Sequence, residues 1–319
     1  MRTAVVILNW NTRDYLRKWL PSLLASCEGR DAAVIVADNH STDGSIEMLS
    51  EEFPQIRRIA LSENFGFTGG YNRALEQTEA EFYVLINSDV EVSQDWLDPL
   101  VKWMDSHPEC GVCGPKILSM DNDGRFEYAG AAGGYLDFFG FPFCRGRALG
   151  ATAVDRGQYD SPSRVSWVSG ACLMVRSSLW KELGGLDERF FAHMEEIDFC
   201  WRAICAGHEV WNVPLSSVRH LGGGTLPQAS PHKLYLNVRN NLLMLDGNLP
   251  SSRKWLIPAR ILMDLAAAAF WFVTFRPGKG RAVIRAHRSF RELRKKNSGE
   301  KKINLLSRRL LAIEYLKLL

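Results

Sequence analysis

Over its first 115 residues the chain alternates short β-branched runs with longer helix-like stretches, and few architectures accommodate that rhythm. Ala4–Leu8, Ala33–Ala37, Arg57–Leu61, Phe82–Ile86 and Cys110–Pro115 are short, apolar and bounded by polar residues, Gly or Pro, as strands are. Arg13–Leu24, Ser45–Glu52, Asn72–Thr78 and Asp95–Ser106 fall between them and read as helices. Ser41-Thr42-Asp43 supplies natural cap chemistry ahead of the second helix. This alternation requires right-handed crossovers. The expected fold class is α/β, with a mainly parallel central sheet and helices on both faces. Ligands of such sheets gather beyond the carboxyl ends of the strands.

Those ends carry Asn9-Trp10-Asn11, Asp38-Asn39-His40-Ser41, Asn64-Phe65-Gly66 and Asn87-Ser88-Asp89. Helix capping accounts well for Ser41 to Asp43 and less well for Asn64 and Asp89, so the four clusters point to a polar ligand. With 319 residues, 46% of them hydrophobic, the chain can bury a sizeable core, which excludes a disordered or fibrous protein. Seven scattered cysteines give no disulfide framework. Met1 leads almost directly into a strand without a leader-like apolar stretch, and a reducing, cytoplasmic setting is the expectation.

Residues 116–165 are rich in Gly, aromatics and turns and predict only extended structure and loops. Arg164–Arg176 reads as one buried strand around Ser169-Gly170. Helices are expected over Ser178–Leu183, Glu195–Ala206 and about His232 to Leu245, the first two stopped by Gly184 and Gly207. Composition changes beyond Gly247, dividing the chain into residues 1–250 and a basic helical extension over 251–319.

Three constellations carry chemistry. Asp89, at a strand end, offers an oxygen ligand for Mg²⁺ or Mn²⁺, and His220 is either a late nitrogen ligand or a structural histidine. Glu195, Glu196 and Asp198 open a helix, where they complement its dipole. They also follow the apolar Phe190-Phe191-Ala192, which would desolvate a carboxylate and suit it to general-base work. In Asn64–Asn72, Gly69-Gly70 would open a helix and let phosphate approach its N-terminus. The spacing fits neither a dinucleotide fingerprint nor a P-loop. Cys110 and Cys113 form a lone CxxC pair on a strand and read as core.

In their order, Val5–Asn11, Val36–Gly44, Asn64–Asn72, Leu85–Glu91, Ser169–Arg176 and Glu195–Asp198 resemble the family 2 glycosyltransferases, in their bacterial rhamnosyltransferase-like branch. The resemblance spans roughly residues 3–245. It implies a GT-A type fold, a nucleotide-diphosphate-sugar donor such as dTDP-rhamnose or a UDP-hexose, a divalent cation and inversion at the anomeric carbon. By position Asp38 and Asn39 would contact the nucleobase, and Asn64–Asn72, with Gly69, Gly70 and Asn72, would border the ribose and diphosphate. Asn9, Asn11 and Asn87 complete the donor side. Asn87-Ser88-Asp89 stands where many members carry Asp-x-Asp, so the metal would rest on Asp89, with His220 matching a late family histidine. Glu196 occupies the place of the general base, with Glu195 and Asp198 as supporting acids. The acceptor would be a glycan or a lipid-linked sugar in cell-surface polysaccharide synthesis. A catalytically silent nucleotide-sugar-binding protein on the same scaffold is the alternative. A nucleotidyltransferase is a weaker one, because Asn9-Trp10-Asn11-Thr12 stands where its Gly-rich basic loop would be.

Charge is unevenly spread. Residues 253–319 hold 17 Lys and Arg against 4 Asp and Glu, although the whole chain is only +3. Such a segment suits an anionic partner. Trp255–Phe275 is apolar enough to invite a transmembrane reading, but Pro258, Arg260 and Asp264 oppose it: a mid-bilayer acid costs about 2.5–3.5 kcal/mol. Arg281–Lys296 predicts an amphipathic helix with Val283, Ala286, Phe290 and Leu293 on one stripe and arginines around it. The expected partner is the inner face of the cytoplasmic membrane, with a helical pair packed on the catalytic domain as the alternative. Nucleic acid is not expected, since the aromatics are not interleaved with the charge.

Overall fold

The computed structural model describes residues 1–121, 124–148, 151–222, 230–294 and 302–307. The alternating half forms β1 (Thr3–Asn9), α1 (Arg13–Cys27), β2 (Ala32–Asp38), α2 (Ser45–Glu52), β3 (Arg57–Ala60), α3 (Gly66–Glu76) and β4 (Phe82–Ile86). After it come β5 (Val90–Val92), α4 (Leu97–Ser106) and β6 (Cys110–Ser119). Two short pairs, β7 (Gly134–Leu136) with β8 (Pro142–Cys144) and β9 (Arg147–Ala148) with β10 (Ala151–Thr152), occupy the turn-rich segment. The remaining elements are β11 (Ser163–Arg164), β12 (Cys172–Arg176), α5 (Ser177–Glu182), α6 (Glu195–Cys205), β13 (Glu209–His220), α7 (Pro231–Asn248), α8 (Leu256–Val273) and α9 (Pro277–Leu293).

The main sheet runs β11-β13-β6-β12-β4-β1-β2-β3, with β5 paired to β13. Strands β3, β2, β1 and β4 are mutually parallel, as are β6 and β13; β12 lies antiparallel between β4 and β6. Two strands antiparallel to the same neighbour share a direction. The carboxyl ends of β1, β2, β4, β6 and β13 therefore open on one edge, and β12 begins there. This is the expected α/β class with a mainly parallel sheet.

Apolar residues alternate between the two faces of the sheet and fill a core on each. Val5, Ile7, Val34 and Val36 pack with α1, α2 and α4, while Ala4, Val6, Ile35 and Ala37 pack with α3 and α6. Cys110 and Cys113 are buried in β6, as core residues. Among the described residues no disulfide forms.

Two expectations about local structure need correction. Helix α3 starts at Gly66, not near Asn72, because Gly66 takes φ +70° and turns the chain into the helix six residues early. Arg164–Arg176 is two strands, not one. β11 is the edge strand, paired with β13, and β12 pairs in the middle of the sheet, so the chain must cross between them through Ser169-Gly170.

The C-terminal helices share the main core. Leu256, Ile257 and Phe290 pack with the catalytic-half residues, as does Leu306 of the extended stretch 302–307. The amphipathic stripe of α9 is therefore not lipid-facing, contrary to expectation: Val283, Ala286 and Phe290 are buried, and α9 packs on α7 and α8. Lys295 and Lys296, the end of the expected helix, lie outside the described residues.

Candidate active site

At the ends of β1 and β2 the expected donor-side residues form a closed polar network. Asn9, fully buried, donates through Nδ2 to Asp38 Oδ1 at 2.7 Å and to Ser41 Oγ at 3.0 Å. The Ser41 amide donates to Asp38 Oδ2 at 2.9 Å. Asn11, in the left-handed region at φ +54°, accepts the Thr42 amide on Oδ1 at 2.7 Å. These bonds hold the Asp38 carboxylate in place at the end of β2, and Trp10, next after Asn9 in the chain, is 42% exposed.

Asn39 and Asn64 brace the next loop. Asn39 Nδ2 donates to Asn64 Oδ1 and to the Gly66 carbonyl, each at 3.0 Å, and its Oδ1 accepts the Phe65 amide. The glycines that follow serve packing. A Cβ on Gly70 would lie 2.7 Å from Leu8, so Gly70 lets α3 approach β1, and one on Gly69 would lie 2.9 Å from Phe65. The opening glycine of the helix is Gly66, which corrects the expected placing of Gly69-Gly70. Asn72 is likewise spent: it exchanges two bonds with the Leu186 backbone, fixing the loop after α5.

Past β4 and β13, Asp89 and His220 meet. His220 Nε2 lies 3.1 Å from Asp89 Oδ1, and Asn87 Nδ2 lies 3.5 Å from the same nitrogen. On the other side of the ring, Nδ1 lies 3.8 Å from Glu127 Oε1 and makes no hydrogen bond. Glu127 is itself buried and fixed, accepting the Ala129 amide. Burial alone would push the His220 imidazole down, but the Asp89 carboxylate bonded to Nε2 and the negative charge of Glu127 beside Nδ1 outweigh that and raise it to about 9. An oxygen and a nitrogen donor side by side suit a divalent cation. Among the described residues no three such side chains form a complete cage. The pair therefore suits an ion whose other ligands are substrate phosphate oxygens and water.

The acidic run opens α6. Asp198 is structural: Oδ2 accepts Arg202 Nε at 2.8 Å and Oδ1 accepts Asn248 Nδ2 at 2.6 Å, tying α6 to α7. Glu195 and Glu196 differ from it. Each keeps one buried carboxylate oxygen, Oε2, without a hydrogen-bond partner. Burial pushes the Glu196 carboxyl up to about 7, and burial together with the neighbouring Glu196 holds Glu195 well above the usual range. A Cβ on Gly170 would sit 3.6 Å from the Glu196 side chain. The next residue, Ala171, accepts the Asn87 amide at 3.0 Å. The Gly170-Ala171 turn thus brings Glu196 to the edge that carries Asn87 and Asp89.

The segment leading into α6 is strained. Phe191, His193 and Met194 all have positive φ, at 63°, 71° and 75°. It is held from α7. Asn240, fully buried, donates to the carbonyls of Phe190, Ala192 and His193 at 2.7–3.0 Å, and Arg239 donates to Phe190 as well. Sequence reasoning missed Glu127, Arg239 and Asn240. Glu127 has no neighbouring motif, whereas Arg239-Asn240-Asn241 interrupts an apolar helix and could have been read as a buried polar patch.

Comparisons with known proteins bear on the family and the fold. The family model described as "Glycosyl transferase family 2" matches residues 4–156. The N-acetylglucosaminyl-diphospho-decaprenol L-rhamnosyltransferase of Mycobacterium tuberculosis is 31% identical over 232 residues, covering 68% of this chain and 75% of its own. TarS of S. aureus, solved in complex with UDP-GlcNAc, superposes with TM-score 0.55 at 16% identity over 96% of this chain and 100% of that one. The mannosyltransferase PcManGT of Pyrobaculum calidifontis, in complex with GDP-Man and Mn²⁺, gives 0.55 at 15% identity over 91% and 86%. These superpositions support the GT-A type fold. The chain belongs to glycosyl transferase family 2, and it is a glycosyltransferase of the rhamnosyltransferase-like kind.

Proposed function

We propose that this glycosyltransferase is an inverting enzyme. It moves rhamnose or another hexose from dTDP-rhamnose or a UDP-hexose to a hydroxyl of a glycan or lipid-linked acceptor, at the inner face of the cytoplasmic membrane. One observation carries the reading: Glu196, raised to about 7 with an unpartnered oxygen, stands on the sheet edge that also holds Asp38, Asp89 and His220. A carboxylate tuned near neutrality is matched to taking a proton from a sugar hydroxyl. The named acceptor of the mycobacterial relative, a sugar on a lipid diphosphate, supports the lipid-linked choice.

The residues divide the work. Asp38, held by Asn9 and Ser41, accepts from the nucleobase. Asp89 and His220 would hold Mg²⁺ or Mn²⁺, which supplies charge neutralisation for the departing diphosphate. Glu196 takes the acceptor proton as the hydroxyl attacks the face opposite the leaving group. Glu195, held above the usual range by burial and by Glu196, lies beside it in the same turn.

The test is a donor panel. The purified full-length chain is given dTDP-rhamnose, UDP-glucose, UDP-galactose or UDP-GlcNAc with an N-acetylglucosaminyl-diphospho-polyprenol acceptor and Mn²⁺. Nucleoside diphosphate release and product anomeric configuration are then measured. Release with inversion is expected for one donor. Tight nucleotide binding without release across the panel would mean a silent binding protein, and retained configuration would overturn the inverting mechanism.

A further inference from the structure

Helix α8 is built inside out. Its charged residues face the protein: Arg260 is 2% exposed and Asp264 is buried. Arg260 Nη1 donates to the Phe139 carbonyl at 2.9 Å and to Asn241 Oδ1 at 2.7 Å, and its guanidinium lies over the Phe141 ring. Asp264 lies 3.7 Å from Arg260 and 3.4 Å from His287 of α9. The outward side is apolar. Leu262, Phe270 and Val273 are 70%, 63% and 76% exposed, with Met263 and Leu265 between them and Phe275, 94% exposed, at the tip of the α8–α9 hairpin. A helix on the surface of a protein that meets only water has the opposite arrangement. An apolar face of this extent marks a contact surface.

The charge around the face names the partner. Helix α9 exposes Arg281, Arg285, Arg288 and Arg291, and Glu292 is the sole acidic residue between 277 and 293. A second copy of the chain would bring these arginines against one another. A transmembrane placement would pull Arg260 and Asp264 from their bonds with Phe139, Asn241 and His287. A bilayer bearing anionic headgroups conflicts with neither feature: it takes the apolar face at the acyl boundary and the arginines at its phosphates.

We propose that the outward face of α8, with Phe275 at its tip, lies in the plane of an anionic lipid surface, and that the exposed arginines of α9 hold the headgroups. The surface assigned is α8, not the stripe of α9 that the sequence alone suggests. It gives the membrane location a physical basis and stands independently of which sugar is transferred.

The experiment is vesicle flotation of the full-length chain, with phosphatidylcholine alone or mixed with phosphatidylglycerol, at low and high salt. Binding is expected only to the mixed vesicles, falling with salt. The double variant Leu262→Glu/Phe270→Glu, altered only at exposed positions, should lose binding by at least roughly tenfold. Arg281→Gln/Arg288→Gln should lose roughly tenfold. Circular dichroism and donor-nucleotide binding should stay unchanged in both. The proposal is overturned if the full-length chain does not float with mixed vesicles, or if the apolar-face variant floats as well as the parent. Retention on the vesicles through alkaline carbonate would indicate a spanning helix and overturn it too. So would loss of a concentration-dependent dimer, without vesicle binding, in the apolar-face variant.

Discussion

The carbonyl of Phe191 accepts the backbone amide of Phe67 at 2.7 Å, joining the first turn of α3 to the segment that delivers Glu195 and Glu196. The Phe191 ring closes the same contact: a Cβ on Gly66 would lie 2.4 Å from it. The loop before α3 and the segment before α6 are thus one mechanical unit, anchored on α7 by Asn240.

Asn240→Ala removes the donor for three carbonyls, and should cost about 1–3 kcal/mol of stability. Because the released segment precedes Glu196, kcat should fall more than donor KM rises. Steady-state kinetics on the folded variant checks this; an unchanged kcat in a destabilised protein would make Asn240 purely structural.

Glu196→Gln keeps the side chain's shape and removes its basicity. Turnover should fall roughly 10²–10⁴-fold with donor affinity near normal. In the parent, kcat should rise with pH through about 7 as Glu196 loses its proton. The variant should lose that limb.

The same substitution should change stability with the opposite sign. Glu196 is raised in the fold above its ordinary value of about 4.3. The stability it contributes is fully present below that value and is lost as pH rises through about 7, where the fold must bury a charge. Thermal unfolding should therefore show Glu196→Gln more stable than the parent at pH 8 and little different at pH 4. A variant inactive yet stabilised at alkaline pH separates lost chemistry from lost folding.

Asp89→Ala and His220→Ala should each weaken Mn²⁺ binding, read by Mn²⁺ electron paramagnetic resonance with nucleoside diphosphate present, and should abolish transfer. Chelation of the parent should do the same, reversibly. Full transfer after exhaustive chelation would leave the diphosphate to protein cations.

Asp198→Asn separates the third acid from the other two. Its oxygens already serve Arg202 and Asn248, so the change should lower the melting temperature and leave the pH profile in place. A shifted profile would return Asp198 to the chemistry.

The strand–helix rhythm made β1 to β4 and the common edge legible, because each strand is short, apolar and locally bounded. Glu196 and Asp89 were legible because acids beside apolar runs or strand ends conflict with simple packing. Gly69, Gly70 and Asn72, expected on the donor side, also have packing and bracing roles that the sequence did not show. A single chain cannot reveal which neighbour a glycine admits, and Leu8 and Leu186 are far from them in sequence. Glu127 was invisible for the same reason: its relation to His220 spans 93 positions and follows no period. On α8, composition suggested membrane contact, while the direction of each side chain depended on Asn241 and Phe139.

Strand β12 reaches its place beside β4 from 86 residues downstream, pairing Cys172 with Ile86. Strands β1 to β4 close through shorter separations, and contacts of low sequence separation form ahead of distant ones. During synthesis the chain can assemble the polar ends of β1 and β2, Asn9 and Asp38, while β12, α6 and β13 are still unmade. Glu196 and His220 arrive only with that second half. On the roles proposed above, catalytic competence would therefore be the last property a nascent chain acquires.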